Sequence, residues 1–174
     1  MATQLSQNQN QFAQTALIGM AAEQPIDTVT CQINPNTTAP YITAGCAVKL
    51  ISNTGPEKVV DITTSPTDGP VFGVIAYNPR SNVHVAGGHV EVHTDLNVLY
   101  LKSSAAITRG ARVSCTNPTA LANDPTVATD TSASDYTVGV AETQATAANQ
   151  LVKIRVKPGF NVSISGTVYS VVSP

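Results

Sequence analysis

The chain has little charge and few aromatic residues. Asp, Glu, Lys and Arg make up 11% of its 174 residues, aromatic residues make up 5%, and tryptophan is absent. The nine Lys and Arg are scattered singly, so the basic surface that duplex DNA or RNA requires is missing. We therefore expect no direct binding of nucleic acid. So few aromatic rings also argue against a stacking platform for bases or sugars.

Long apolar runs and paired cysteines are missing as well. No stretch approaches the ~20 apolar residues of a membrane-spanning helix, and no charged segment followed by an apolar run marks a secretory signal near the start. We therefore expect no membrane partner and synthesis in a cytoplasm. Cys31, Cys46 and Cys115 contain no Cys-x-x-Cys pair, and their odd number argues against a disulfide framework. We interpret them as small buried residues.

No known catalytic motif is present. The chain lacks a nucleotide-binding loop, a nucleophile elbow and a dinucleotide fingerprint. His89-x-Glu91 matches half of a zinc deaminase signature, but the second half, Pro-Cys-x-x-Cys, is absent. Alternation along this strand places Val90 and Val92 on one face and His89, Glu91 and His93 on the other, which we expect to be an exposed polar face. We predict no enzyme, no catalytic residue, no metal and no cofactor.

What the chain does contain is an internal repeat. Residues 42–50 (ITAGCAVKL) return as residues 107–115 (ITRGARVSC), and each copy is followed by a Gly-Val pair, Gly73-Val74 and Gly139-Val140. Each copy reads as a turn with a glycine at its corner, followed by an alternating strand. Since small β-branched and hydroxyl residues dominate, we predict an all-β fold. The fold class is a small β-barrel or β-sandwich built from two related half-units, 42–94 and 107–156, with an extended N-terminal arm.

Strand patterns fill most of the predicted domain, residues 25–157. Alternation predicts a first strand over 26–33, a hairpin that joins 47–52 to 58–63, and a strand over 96–102. Residues 71–77 are apolar on both faces and predict a central strand. Residues 116–135 contain Asn117-Pro118, Asp124-Pro125 and a Thr, Ser and Asp cluster, and we predict a loop there.

The two ends of the chain are distinct from the repeat. Residues 1–24 are rich in glutamine and asparagine and cannot offset their ordering entropy alone, so we expect an arm that becomes ordered on meeting a partner. A short helix over 11–22 is an alternative for part of it. Residues 158–174 predict a final hairpin, either within the barrel or as a strand donated to a neighbouring subunit. The candidate partner-binding residues are the apolar residues of the arm: Leu5, Phe12, Leu17, Ile18 and Met20.

Five short segments follow one another along the chain. They are Ile42–Leu50 (ITAGCAVKL), Val71–Tyr77 (VFGVIAY), Ala86–Val92 (AGGHVEV), Ala106–Val113 (AITRGARV) and Thr137–Ala141 (TVGVA). This order resembles the capsid cement, or head decoration, proteins of tailed bacteriophages. The resemblance covers about residues 40–157 and leaves the arm and the tail outside it.

The resemblance implies a structural virion protein on the outer surface of the capsid. Such a protein would be made in the host cytoplasm, bind the major capsid protein and cement its subunits against the pressure of packaged DNA. It would be a homo-oligomer, with a trimer favoured and a dimer possible, and its arm would lie on the capsid lattice. The alternative is a receptor-binding or adhesin module of a phage tail or fibre, which would share the repeat architecture and the low charge.

Overall fold

The computed structural model describes residues 16–23, 25, 27–39, 41–52, 57–63, 65, 67–80, 83–118, 124–130, 136–164 and 167–172. In these ranges the chain forms thirteen strands and no helix. The strands are β1 (Thr28–Ile33), β2 (Ile42–Thr43), β3 (Ala47–Ser52), β4 (Lys58–Ile62), β5 (Gly73–Ile75), β6 (Val83–His84), β7 (His89–His93), β8 (Val98–Ser103), β9 (Arg112–Thr116), β10 (Thr126–Thr129), β11 (Tyr136–Ala141), β12 (Leu151–Ile164) and β13 (Thr167–Val172). The all-β prediction is confirmed.

Five of the first seven strands close into a barrel. Their order around it is β1, β4, β3, β5 and β7, and β7 returns to β1. β1 runs parallel to β4, with Cys31 opposite Lys58, and every other pair is antiparallel. The predicted hairpin is confirmed as the antiparallel pair β3–β4, whose connecting residues 53–56 lie outside the described part of the chain.

The second half of the chain repeats this arrangement. β8, β10, β9, β11 and β12 follow one another around a second closed sheet, and β12 returns to β8. The parallel pair is again the first one, β8–β10. The two related units are thereby confirmed. We had expected the units to share one barrel, but each closes its own, because the strand that precedes each repeated segment pairs with two later strands of the same unit.

One strand of the second barrel contradicts the sequence interpretation. β10 (Thr126–Thr129) lies within residues 116–135, where we predicted a loop, and that prediction is wrong for these four residues. β10 takes the place that β4 has in the first barrel, between β9 and β8. Its sequence, TVAT, has a single large apolar residue, Val127, and turn-forming residues on both sides. Pairing with two neighbours, and not local pattern, makes it a strand.

Each barrel has an apolar core. The first core consists of Cys31, Ile33, Ile42, Cys46, Val48, Val60, Ile62, Ile75, Val90 and Val92. The second core is built on β8, β9, β11 and β12, and Leu99, Val113 and Ile154 in it are fully buried. Ala47 and Val74 belong to the first barrel by sequence but pack in the second core. The barrels are therefore in direct apolar contact.

The two Gly-Val pairs lie where a strand closely approaches the backbone of its neighbour in the barrel. A Cβ at Gly73 would clash with the carbonyl oxygen of His93, and a Cβ at Gly139 would clash with that of Arg155. Both glycines thus let one strand approach the backbone of the next strand in the barrel, β7 or β12. The same requirement at equivalent positions explains why the pair occurs twice in the sequence.

Asn117 joins the two barrels. It follows β9, is 6% exposed, and its amide lies against the start of β3. Its Oδ1 accepts from Ala47 N at 3.0 Å, and its Nδ2 lies 2.9 Å from Ala47 O and 2.6 Å from Thr63 O. One side chain therefore satisfies three buried backbone groups of the first barrel from a position in the second.

The C-terminal tail pairs within the chain. β13 lies antiparallel to β12, from Gly159 opposite Val172 to Ile164 opposite Thr167. The predicted hairpin is confirmed, and the connecting residues 165–166 lie outside the described part. β13 adds to the edge of the second sheet and takes no part in closing the barrel.

We expect Gly139→Ala to lower the free energy of unfolding by about 2–4 kcal/mol, because the new methyl group would meet backbone that cannot move without opening the barrel. The control is Gly110→Ala, at a φ of +85° with no atom within 4 Å of the added Cβ. Its expected cost is about 1 kcal/mol, from the left-handed backbone alone. Urea unfolding measures both, and equal losses would contradict the close-approach argument.

We expect Asn117→Ala to destabilise the protein by about 2–3 kcal/mol, since it leaves the N–H and C=O of Ala47 buried without this partner. Asn36→Ala is the control, because Asn36 is exposed, and it should stay within about 0.5 kcal/mol of the parent. Urea unfolding followed by circular dichroism gives both values. A loss below about 1 kcal/mol for Asn117→Ala would show that water can replace the Asn117 side chain as the hydrogen-bond partner of Ala47.

Candidate partner-binding surface

The last part of the N-terminal arm is bound to the body of the protein. We call residues 16–23 the arm root. Gly19 N and Ala22 N donate to carbonyl oxygens of β8 at 2.8 and 2.7 Å, and an isolated antiparallel bridge lies between them. The arm root thus lies along the second barrel as a short extended segment. In residues 16–22 the structure has no helix, so the helix alternative is wrong for that part of 11–22.

The arm root also contacts the first barrel. Gly19 O accepts from Tyr77 N at 3.0 Å. Gly19 has a φ of +76°, and a Cβ there would stand 2.7 Å from Gly45 N and 2.9 Å from Ile75 O. Only glycine fits this position without displacing backbone. The arm root therefore lies where the two barrels meet, which we call the junction, and is hydrogen-bonded to both barrels.

Ile18 distinguishes the two repeated corners. Gly45 and Gly110 open the two copies of the repeat with nearly equal φ values, +84° and +85°. Any side chain at position 45 would clash with Ile18, whereas position 110 has open space on all sides within 4 Å. The first corner is thus covered by the arm root and the second is not. Two similar sequence motifs therefore have glycine corners with different surroundings.

The five candidate residues of the arm fall into three groups. Ile18 is partly buried and packs against the second core, and Met20 is partly buried. Leu17 is 39% exposed. Leu5 and Phe12 lie outside the described residues. Ile18 therefore holds the arm root in place, and Leu17 is available to a partner.

A groove of about 330 Å³ lies beside the arm root. Leu17 and Ile18 form one side of it, and Tyr77 and Leu151 contribute from the two barrels. Leu151 is 41% exposed, which adds a second accessible apolar group. Lys102 and Asp124 also line the groove and form an ion pair at 2.9 Å. Exposed apolar side chains with polar and charged groups beside them are typical of protein–protein contact surfaces. Sequence reasoning missed Leu151, which carries no motif.

The histidines of β7 do not form a site together. His89 is exposed and pairs with Glu57 at 3.1 Å, as expected for a polar strand face. His93 is only 3% exposed, so the prediction that it is exposed is wrong. Thr94 and Asn97, where the chain passes from one barrel to the other, are buried as well, whereas Asp95 and Leu96 between them are exposed. Burial lowers the pKa of His93, and Glu91 partly opposes the effect.

A polar cleft of about 420 Å³ lies at the outer side of the first barrel. Arg80, His84, His89 and Glu91 line it, and burial lowers the pKa of His84. Among the described residues no three His, Cys, Asp or Glu side chains are grouped as metal ligands. The cleft therefore presents both basic and acidic side chains to solvent.

The cysteines are buried thiols. Cys31, Cys46 and Cys115 are all free and buried, as predicted. Desolvation, with a smaller contribution from Cys46, raises the pKa of Cys115 to about 12. A thiol so far from ionisation is a poor nucleophile.

No family model matches the chain, and no curated protein matches it either. A search of the described residues for a helix long and apolar enough to cross a membrane found none.

We expect Ile18→Asp to release the arm root while both barrels stay folded, because a carboxylate cannot remain desolvated over Gly45. The amides of Tyr77 and Tyr100 bond to the arm root and should exchange at least about 10-fold faster. Leu17→Asp is the matched control, since it places the same charge one residue earlier at an exposed position. Native-state hydrogen exchange reads both, and unchanged exchange in Ile18→Asp would contradict the anchoring role.

Proposed function

We propose that this chain is a structural, non-enzymatic virion protein of a tailed bacteriophage. In this proposal it binds the outer surface of the capsid and cements major capsid protein subunits together, as a homo-oligomer. The observation that carries the proposal is the arm root, which ties the N-terminal arm to both barrels. The resemblance of residues 40–157 to cement proteins points in the same direction.

The attachment of the arm root supports a clamping role. Residues 1–15 continue from a segment that is hydrogen-bonded to β8 and to Tyr77. A load applied through the arm would therefore reach both barrels. A protein that cements a shell needs such a connection, because the arm and the body would hold different capsid subunits. An arm joined to the body only by a flexible linker would not transmit force to the barrels.

The anchored root also favours binding by the arm. Once the body is bound, the arm is held near the capsid surface, so its contacts form at a high effective concentration. Leu5 and Phe12 are the candidate contact residues within residues 1–15, and a segment that becomes ordered on binding can spread its contacts over several neighbours. Leu17 and Leu151 beside the groove would extend this contact onto the body.

The proposal is tested with heads of the parent phage assembled without this protein. The purified chain should bind them at saturable sites and raise their resistance to heat, as seen by electron microscopy and by the temperature of DNA release. Binding with no gain in resistance, or no binding, would contradict a cementing role. Labelled protein found on fibre tips or host cells instead of head faces would favour the receptor-binding alternative.

We expect the pair Leu5→Asp and Phe12→Asp to weaken attachment to heads at least about 10-fold, because the arm would lose apolar contact and gain charge. The control pair, Gln7→Asp and Gln9→Asp, adds the same charge at polar positions and should bind within about 3-fold of the parent. Quantitative binding to heads, with thermal unfolding as a check on the body, measures the effect. Equal binding by all three proteins would remove the arm from the proposal.

A further inference from the structure

The backbone of the two repeated corners is arranged in the same way. In the first barrel Gly45 N donates to Ile75 O at 2.8 Å, and in the second Gly110 N donates to Ala141 O at 2.7 Å. Ile75 and Ala141 each lie two residues after the glycine of a Gly-Val pair. The two corners can therefore be compared residue by residue.

One backbone donor is used at the first corner and not at the second. Two residues after Ile75, Tyr77 N donates to Gly19 O of the arm root at 3.0 Å. The equivalent residue, two after Ala141, is Thr143, which is exposed. Its backbone N–H has no protein partner among the described residues. The second corner therefore presents the donor that the arm root uses at the first corner, without a segment to accept from it.

A groove of about 420 Å³ lies at the second corner, and we call it the Gly110 groove. It is lined by Arg109, Gly110, Ala141, Glu142, Thr143 and Lys153. A Cβ at Gly110 would have no atom within 4 Å, whereas the same space at Gly45 holds Ile18. Lys153 N donates to Thr143 Oγ1 at 3.0 Å, which holds Thr143 beside the groove. The second corner therefore has space for an extended segment like the one that covers the first.

The Gly110 groove is basic. Arg109 occupies the position that Ala44 has at the first corner, and it has no ion-pair partner among the described residues. Lys153 supplies a second positive charge. The carboxylate of Glu142 is already paired with Arg155, whose Nε lies 2.6 Å from it. A segment with carboxylates is therefore favoured over a neutral or basic one.

We propose that the Gly110 groove docks an extended acidic segment of another protein, in the way that the first corner docks the arm root. A backbone carbonyl oxygen of the segment would accept from Thr143 N, and its carboxylates would pair with Arg109 and Lys153. In this mode of recognition the main-chain hydrogen bonds supply affinity and the side-chain contacts supply specificity.

The segment needs a glycine where it passes the corner. A Cβ at Gly19 would lie 2.7 Å from Gly45 N and 2.9 Å from Ile75 O, the two atoms of the corner hydrogen bond. Gly110 N and Ala141 O form the same bond in the second barrel. A segment that approaches in the same way would meet these two atoms, so only glycine fits without displacing backbone.

This chain does not itself supply such a segment. Residues 1–22 contain no acidic residue. In addition, the arm root is hydrogen-bonded to β8 and to Tyr77 of its own chain and would have to give up those bonds. The inference also goes beyond capsid attachment, because the Gly110 groove shares no lining residue with the groove beside the arm root. The two proposals can therefore fail separately.

The probe is a synthetic peptide with blocked ends, Asp-Leu-Ile-Gly-Asp-Ala, which keeps the Leu-Ile-Gly of the arm root and adds two carboxylates. Its matched control has alanine in place of glycine. Titration into the full chain is followed by nuclear magnetic resonance of the backbone amides. We expect saturable shifts at Thr143 and Gly110, exchange of the Thr143 amide slowed at least about 5-fold, and binding of the alanine peptide at least about 10-fold weaker. The amide of Tyr77, which is already bonded, should not change.

Two variants of the full chain test the charge. Arg109→Glu should weaken binding of the glycine peptide at least about 10-fold, because repulsion replaces attraction. Arg80→Glu is the matched control, since it makes the same change at an exposed position of the first barrel, and it should stay within about 2-fold of the parent. Both positions are exposed, and circular dichroism melting checks that the barrels remain folded.

Four outcomes would overturn the proposal. They are a Thr143 amide that the peptide does not protect, equal binding of the glycine and alanine peptides, equal effects of the two variants, and equal protection by acetate at the same carboxylate concentration. The last would make the groove a site for free anions only. Protection of Thr143 that rises with the concentration of the protein alone would also overturn it, because a second copy would then cover the corner.

Discussion

Closure of two separate five-stranded sheets is the constraint on which the rest of the structure depends. A small barrel closes only if adjacent strands approach closely, and Gly73 and Gly139 permit this approach where any Cβ would meet the backbone of β7 or β12. In a closed barrel the backbone groups at each strand edge pair with a neighbouring strand, so most strands need no other protection against pairing with another chain. β13 lies outside both closed sheets, and the proposed partner contacts lie on the arm and beside the arm root.

The junction turns two small barrels into one body. Each core alone is limited, but Ala47 and Val74 pack in the second core, and Asn117 bonds to backbone of the first barrel. A buried amide is costly when a partner is missing, so this joint favours one relative position of the barrels. The arm root adds bonds to both sides of the same junction. The arm therefore starts from a segment that is hydrogen-bonded to both barrels.

Sequence patterns predicted those features that depend on local spacing. The repeat, the β3–β4 hairpin, the central strand around Val74 and the C-terminal hairpin all follow from alternation and turn residues. The prediction for β10 was wrong because TVAT has too little pattern of its own. The prediction that His93 is exposed was wrong because alternation within one strand does not register what packs over the end of that strand.

The sequence by itself determined an all-β chain with two related units, buried thiols and a glutamine-rich arm with a few apolar residues, because composition and short-range periodicity encode strands and turns. Only the tertiary structure decided that each unit closes separately and that Ile18 covers the corner at Gly45 and leaves the one at Gly110 open. It also joined Leu17 and Leu151 in one groove. These outcomes depend on contacts between residues far apart in the chain, because two similar motifs are packed against different residues.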